Sequence, residues 1–269
     1  MDVTERVGVI DVGLTMMSIS VFSAGDVRRW CLAVPTDAAV MLTDAELLVP
    51  GGRHSVALDR LLHMAVTTGG ITTMAQVVLL SRSWVHPLFY TYVLRWLHAA
   101  VPSTTSVSQL PQPLFAVQCA GLKSGLVVQC DNGVMFATPV LDGVISCELE
   151  SVWGDVGIPT RVSASLVEDR FREVGVHLTE MMQRKDQRTP SEGYPQSTCS
   201  TSPQPTSLSC AEDLLLAAEK HIAACRKREL RSCLETVVLC GDAAIFPAAR
   251  KLIAQLLSAS LPHSLLVCT

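Results

Sequence analysis

The stretch 121–143, GLKSGLVVQCDNGVMFATPVLDG, constrains this chain more than any other. Two apolar runs, 125–128 and 134–140, flank a polar turn over 129–133. The Asn132-Gly133 pair within that turn is a strong hairpin signal, because both positions tolerate positive φ. Asp142-Gly143 closes the second run with another turn. A turn of this kind presents backbone N–H groups and short polar side chains, which is how phosphate groups are cradled.

Two further turns have the same make-up. Near the N-terminus, β-branched runs at 6–12, 17–22 and 30–34 predict a strand–turn–strand–turn–strand meander, and its first turn holds Asp11-Val12-Gly13. An acidic residue followed by glycine there suits a phosphate or metal-water site, and equally an ordinary hairpin. Near the C-terminus, a strand over 235–239 runs into Cys240-Gly241-Asp242 and then a helix over 246–257 with Pro247 in its first turn.

Between these turns the periodicity predicts a helix over 55–66, stopped by Gly69-Gly70, and a strand over 77–81. A helix over 87–100 follows, with Leu88, Tyr92, Leu94 and Leu97 among its apolar positions. Trp84, Phe89, Tyr90 and Trp96 read as core aromatics in this region. A helix over 112–120 ends at Gly121, and 144–156 is less regular. A helix over 165–174 places Leu166, Val167, Phe171 and Val174 on one face. Ser, Thr, Pro and Gln then dominate 183–209, the signature of a flexible linker. Order returns with a helix over 211–225, which Arg226-Lys227-Arg228 closes with positive charge that suits its dipole. A short strand over 265–268 ends the chain, and no repeat of solenoid period is visible. The pieces expected are 1–143, 144–182, the linker 183–209, and 210–269.

Of the 269 residues, 49% are apolar and 17% charged, a balance that points to surface buried against partners or to a chain trimmed of its polar periphery. The formal net charge of −4 gives no reason to expect nucleic-acid binding. Ten cysteines with no C-x-x-C pair read as reduced thiols used as small core residues, not as metal ligands. Residues 61–81 carry no charge apart from a titratable His63, but Thr67, Thr68, Gly69, Gly70, Thr72, Thr73 and Gln76 interrupt the apolar run, so no membrane span is expected. No signal peptide is visible, and a soluble intracellular protein is expected.

Taken together and in order, VGVIDVG, GLVVQCDNGVMFATPVLDG and TVVLCGDAAIFPAARKLIAQLL, with VVLLSRSWVHP and QPLFAVQCAG in between, resemble the actin and actin-related protein family. The resemblance implies an α/β chain with the actin-like ATPase fold, built of ribonuclease-H-like repeats, with reduced peripheral subdomains. It implies a nucleotide cleft lined by Asp11, Gly13, Asn132, Gly133, Gly241 and Asp242. Gln112 falls where the family places the glutamine that orients the hydrolytic water.

The departures from the family pattern are pointed. Its phosphate-binding lysine is missing, the matching positions being Leu14 and Ser18. The two aspartates that hold metal-bound waters in its second hairpin are replaced by Gln129 and Asn132. Neutral amides lack the charge that holds a divalent ion. Asp242 stands where the family has the second glycine of its third turn, and a carboxylate near phosphates is unfavourable.

The expectation is therefore a degenerate member with no catalytic residues beyond a remnant Gln112, no metal, and weak or absent ATP binding: a pseudo-ATPase. It would serve as a structural subunit beside other actin or actin-related subunits, in a filament cap or a dynein- or dynactin-like assembly of the cytoplasm and cytoskeleton. The alternative is a nucleotide-binding subunit of a nuclear chromatin-remodelling complex. A sugar-kinase-like or phosphatase enzyme on the same fold would need a carboxylate base in the cleft, and Asp131 and Asp142, the only acids near the hairpin, each have an ordinary turn role.

Overall fold

The computed structural model describes residues 6–13, 15–42, 44, 49, 51–131, 133–158, 164–187, 207–261 and 264–268. The chain divides into two compact units, Met1–Phe115 and Ala116–Thr269.

The first unit opens with the expected meander, β1 (Val7–Val12), β2 (Met16–Ser23) and β3 (Asp26–Ala33). The third strand starts earlier than the sequence suggests, because all eight of its residues pair with β2, from Ser23↔Asp26 to Met16↔Ala33. A short helix α1 (Thr36–Ala39) leads to α2 (Arg53–Gly69), which buries Leu58, Leu61, Leu62, Ala65 and Val66 at helical spacing. Gly70 ends α2 at φ 61°, the left-handed conformation that glycine adopts without steric cost. β4 (Gln76–Ser81) is apolar and buried over its four central residues, as a parallel strand covered on both faces must be.

α3 (Pro87–Ala100) begins at a proline, with the His86 ring accepting the Leu88 N–H. Its buried face carries Phe89, Tyr90, Val93 and Leu97, whereas Leu88 is exposed. Phe89 and Tyr90 are core aromatics as expected, and Trp84 and Trp96 pack partly buried against the same core. β5 (Ser106–Pro111) completes a sheet of order β3-β2-β1-β4-β5, in which β4 and β5 lie parallel to β1.

α4 (Gln112–Cys119) leads to β6 (Gly125–Asp131) and β7 (Val134–Leu141). The ladder between them runs unbroken from Gly125↔Val140 to Asp131↔Val134. Gln129, Cys130 and Asp131 are therefore strand residues, all buried, and not part of a turn as the polar sequence suggests. The segment 144–156 is more regular than expected: β8 (Val144–Ile145) and β9 (Ser151–Asp155) both pair with β7. β10 (Thr236–Cys240) and β11 (Leu265–Cys268) lie parallel to β6 in the order β11-β10-β6-β7. Pairing with β10 puts the Gly125–Leu141 hairpin in the second unit, so that the chain divides after Phe115 and not after Gly143.

α5 (Ala164–Gln187) is much longer than the expected 165–174, because Leu178, Met181 and Met182 continue its apolar stripe. α6 (Ser207–Lys227) buries Cys210, Ala211, Leu214, Ala218, Ile222 and Cys225. Both helices thus take residues from the expected linker, and its remainder, 188–206, lies outside the described residues. α7 (Pro247–Ser260) runs between β10 and β11. Cys130, Cys210, Cys225, Cys233 and Cys240 are buried and used as small core residues.

The two units share one topology. In each, antiparallel strands begin the sheet (β1–β3 in the first unit, β6–β9 in the second), a helical connection leads to a strand parallel to the first (β4, β10), and another helix leads to the last (β5, β11). The repeat is one of strand order and not of sequence.

Candidate functional site

In the first unit, β1, β4 and β5 are parallel neighbours, and their carboxyl ends deliver Asp11, Arg82 and Gln112. Ligands of open α/β sheets gather at such strand ends. Asp11 sits in the register of Leu80, and Ser81 in that of Pro111, so the residue after β4 and the residue after β5 both reach the Asp11 carboxylate. Arg82 does so as a fork: Nε and Nη2 donate to Asp11 Oδ1 at 3.2 and 2.9 Å, and Nη2 donates to Oδ2 at 2.8 Å. Gln112 Nε2 donates to Oδ2 at 3.2 Å.

The Arg82 side chain is 0% exposed and that of Asp11 is 15% exposed. The Arg82 guanidinium carbon lies 5.8 Å from the Trp84 ring centroid, and the Arg82 backbone N–H donates to Tyr90 Oη at 2.7 Å. Gln112 is buried, and its Oε1 has no hydrogen-bond partner among the described residues. Gly13, at the tip of the β1–β2 hairpin, donates its N–H to the Met16 carbonyl at 2.8 Å. Leu14 lies outside the described residues, and half-buried Ser18 stands opposite Asp11 in the ladder.

Asp11 and Gln112, both singled out in the sequence, lie in contact, and Arg82, which holds the same carboxylate, was not singled out. Its signal was present: it is the first Lys or Arg after a long uncharged stretch, one residue past a buried parallel strand.

A divalent ion with its waters is one ligand that an acidic turn at Asp11 suits, and the residues present do not fit one. A carboxylate has about four acceptor sites, and Asp11 already receives four donor contacts from Arg82 and Gln112. Among the described residues no group of three His, Cys, Asp or Glu side chains could hold a metal.

In the second unit, Gln129 and Asp131 point to the same face of β6, two residues apart, and the Gln129 amide donates to Asp131 Oδ2. Asp131 is buried. Gly241, just past β10, has φ 100°, and a Cβ there would lie 2.5 Å from the Cys130 carbonyl oxygen and 2.7 Å from Asp131 Oδ1. Glycine is required by both the dihedral and the close approach. Gly133, at φ 88°, gives its carbonyl to the Val156 N–H at 3.0 Å. The third turn therefore packs on the end of β6, with Gly241 against Cys130 and Asp131. Asn132 and the Asp242 side chain lie outside what is described.

The helix after Gly241 is served from within the chain. Both oxygens of Glu168, on α5, accept the Ala248 N–H at 3.1 and 3.2 Å in the first turn of α7. Arg250 Nε and Nη2 donate to the Ala244 and Ile245 carbonyls at 2.7 and 3.2 Å. A buried Cys–His pair, Cys225 with its Sγ 3.5 Å from His221 Nε2, is core and not a nucleophile: burial, with the nearby Cys233, pushes the Cys225 thiol up to about 11.

No family model matches the sequence, and no curated protein matches it. Among solved structures, a non-polymerising mutant of MamK bound to AMPPNP matches over 99% of this chain and 94% of its own length, with a TM-score of 0.56 and 10% sequence identity. The chain has the actin-like fold. Both actin-like sheets carry their turns where the motifs put them, at Gly13, Gly133 and Gly241. At 10% identity the likeness is one of architecture and not of site chemistry. No described helix of this actin-like chain is long and apolar enough to cross a membrane.

Proposed function

We propose that this protein is a non-catalytic actin-like subunit of a cytoskeletal or motor-associated assembly in the cytoplasm, a filament cap or a dynein- or dynactin-like complex. The observation that carries the reading is Asp11 closed by the Arg82 fork. Phosphoryl transfer depends on positioned charge and metal. Here the one acid of the first turn is spent on an internal cation, and Gln129 stands on β6 where the family has an acid. The apolar share of 49% suits a chain buried among partners. Nucleotide is not excluded by the fold, since the matching MamK structure holds AMPPNP; in this chain its binding is weak or absent and leads to no turnover.

The test has two parts. The purified protein is titrated with ATP and magnesium and assayed for phosphate release. Micromolar affinity abolished by Asp11→Ala, or turnover abolished by the same change, would sink the reading. Affinity purification from native cells with mass spectrometry then identifies the assembly. Actin-related, dynein or dynactin subunits support the proposal, and chromatin-remodelling ATPases move the protein to the nucleus.

A further inference from the structure

We infer that Arg82 stands in for a divalent cation, so that the Asp11 turn is electrostatically complete without one. The inference rests on the non-catalytic reading and deepens it by naming what replaced the ligand.

The first argument is capacity. The carboxylate of Asp11 takes two donor contacts on each oxygen, three of the four from one guanidinium. A bidentate Arg–carboxylate fork is the strongest pairing a chain can supply to such a group.

The second is fixation. Arg82 does not reach in from the surface. Its side chain is 0% exposed, its backbone N–H is held by Tyr90 Oη, and it follows directly on β4, whose register with β1 is set by five residue pairs from Val7↔Gln76 to Asp11↔Leu80.

The third is position. A buried ion pair anywhere in a core is weak grounds for any role. This one joins the carboxyl ends of three adjacent parallel strands through Asp11, Arg82 and Gln112, which is where the sheet would take a ligand. The joining of strand ends that a bound cation would perform is performed by side chains. Gln112 is drawn into the same contact: its Nε2 faces Asp11, although this leaves its buried Oε1 without a partner among the described residues.

It follows that the wild-type protein responds to magnesium neither in stability nor in conformation, and that the response can be restored by removing the Arg82 charge. The experiment measures thermal melting of the full chain with and without millimolar Mg²⁺, and Mn²⁺ binding by electron paramagnetic resonance, in five forms: wild type, Arg82→Lys, Arg82→Gln, Asp11→Asn, and the Asp11→Asn, Arg82→Gln pair. Wild type and Arg82→Lys are expected to melt at the same temperature with and without Mg²⁺ and to bind no Mn²⁺ through Asp11. Arg82→Gln is expected to gain about 2–4 °C in Mg²⁺, or to fold only when the cation is present. The gain disappears in the pair.

The inference is overturned if the wild type binds Mn²⁺ in a manner lost on Asp11→Asn. It is overturned if a folded Arg82→Gln gains nothing from either cation. It is also overturned if Arg82→Gln stays unfolded in every cation while the pair folds. Phosphate release is followed in the same samples. Turnover without cation binding at Asp11 would sink the non-catalytic reading and leave the stand-in intact, whereas cation binding without turnover would sink the stand-in alone.

Discussion

Trp153 Nε1 donates to His221 Nδ1 over 3.0 Å, with both side chains buried in the core of the second unit. The bond assigns the tautomer: Nδ1 is the acceptor, so the proton sits on Nε2, which faces Cys225 Sγ at 3.5 Å. Burial lowers the His221 pKa below its ordinary value, partly opposed by a hydrogen bond to the backbone of Leu149. A second ring proton would confront the Trp153 N–H with another donor.

Stability at this site is therefore complete above about pH 6.5, where the unfolded imidazole is also neutral. It is lost as pH falls below that value, because the unfolded state then binds the proton the folded state refuses. Denaturant midpoints should hold steady from about pH 8 to pH 7 and decline from about pH 6.5 downward. His221→Gln should flatten the decline while lowering stability at neutral pH. An equally steep decline in that variant would remove His221 as its cause.

Breaking the Asp11–Arg82 fork should be expensive. Removing one partner of a buried pair costs about 3–5 kcal/mol, and the 15% exposure of the Asp11 side chain places this case toward the lower end. A double-mutant cycle with Asp11→Asn and Arg82→Gln should return a coupling of about 2–3 kcal/mol. A coupling near zero would show the contact to be geometric only.

Gly241→Ala should destabilise the second unit by about 2 kcal/mol or more, since it combines a left-handed φ with a Cβ driven into the Cys130 carbonyl. Gly143→Ala is the control: its φ is 77°, but nothing lies within 4 Å of the added carbon, so only the dihedral cost of about 1–2 kcal/mol applies. Equal losses in the two variants would mean that the approach to Cys130 relaxes freely.

Glu168→Gln should cost about 1 kcal/mol, because it removes the charge that meets the first turn of α7 while keeping an acceptor for Ala248. The loss should shrink as salt is raised, which equilibrium unfolding in low and high salt would show. A loss independent of salt would assign the effect to packing.

The frame of the molecule was readable because its punctuation is local. Gly70, Pro87, Pro247 and Gly133 act through their own dihedrals, and each marks a boundary within a residue or two. The interior was readable only in part. Gln129 and Asp131 look like a turn by polarity, yet they occupy a buried strand because each satisfies the other. The continuation of α5 past Val174 rests on Met181 and Met182, next to charged residues that suggest an end. The pairs that define the two units electrostatically were the least legible. Arg82 lies 71 residues from Asp11, and Trp153 lies 68 from His221. No spacing rule links residues so far apart until strand order brings them together.

The fork on Asp11 has one more consequence. A dissolved ion comes and goes with its concentration, and a chelator can take it away. A guanidinium carried by the residue after β4 is present at Asp11 in a fixed ratio of one, whatever the solution contains. The counter-charge of this turn has passed from the composition of the cell to the composition of the gene.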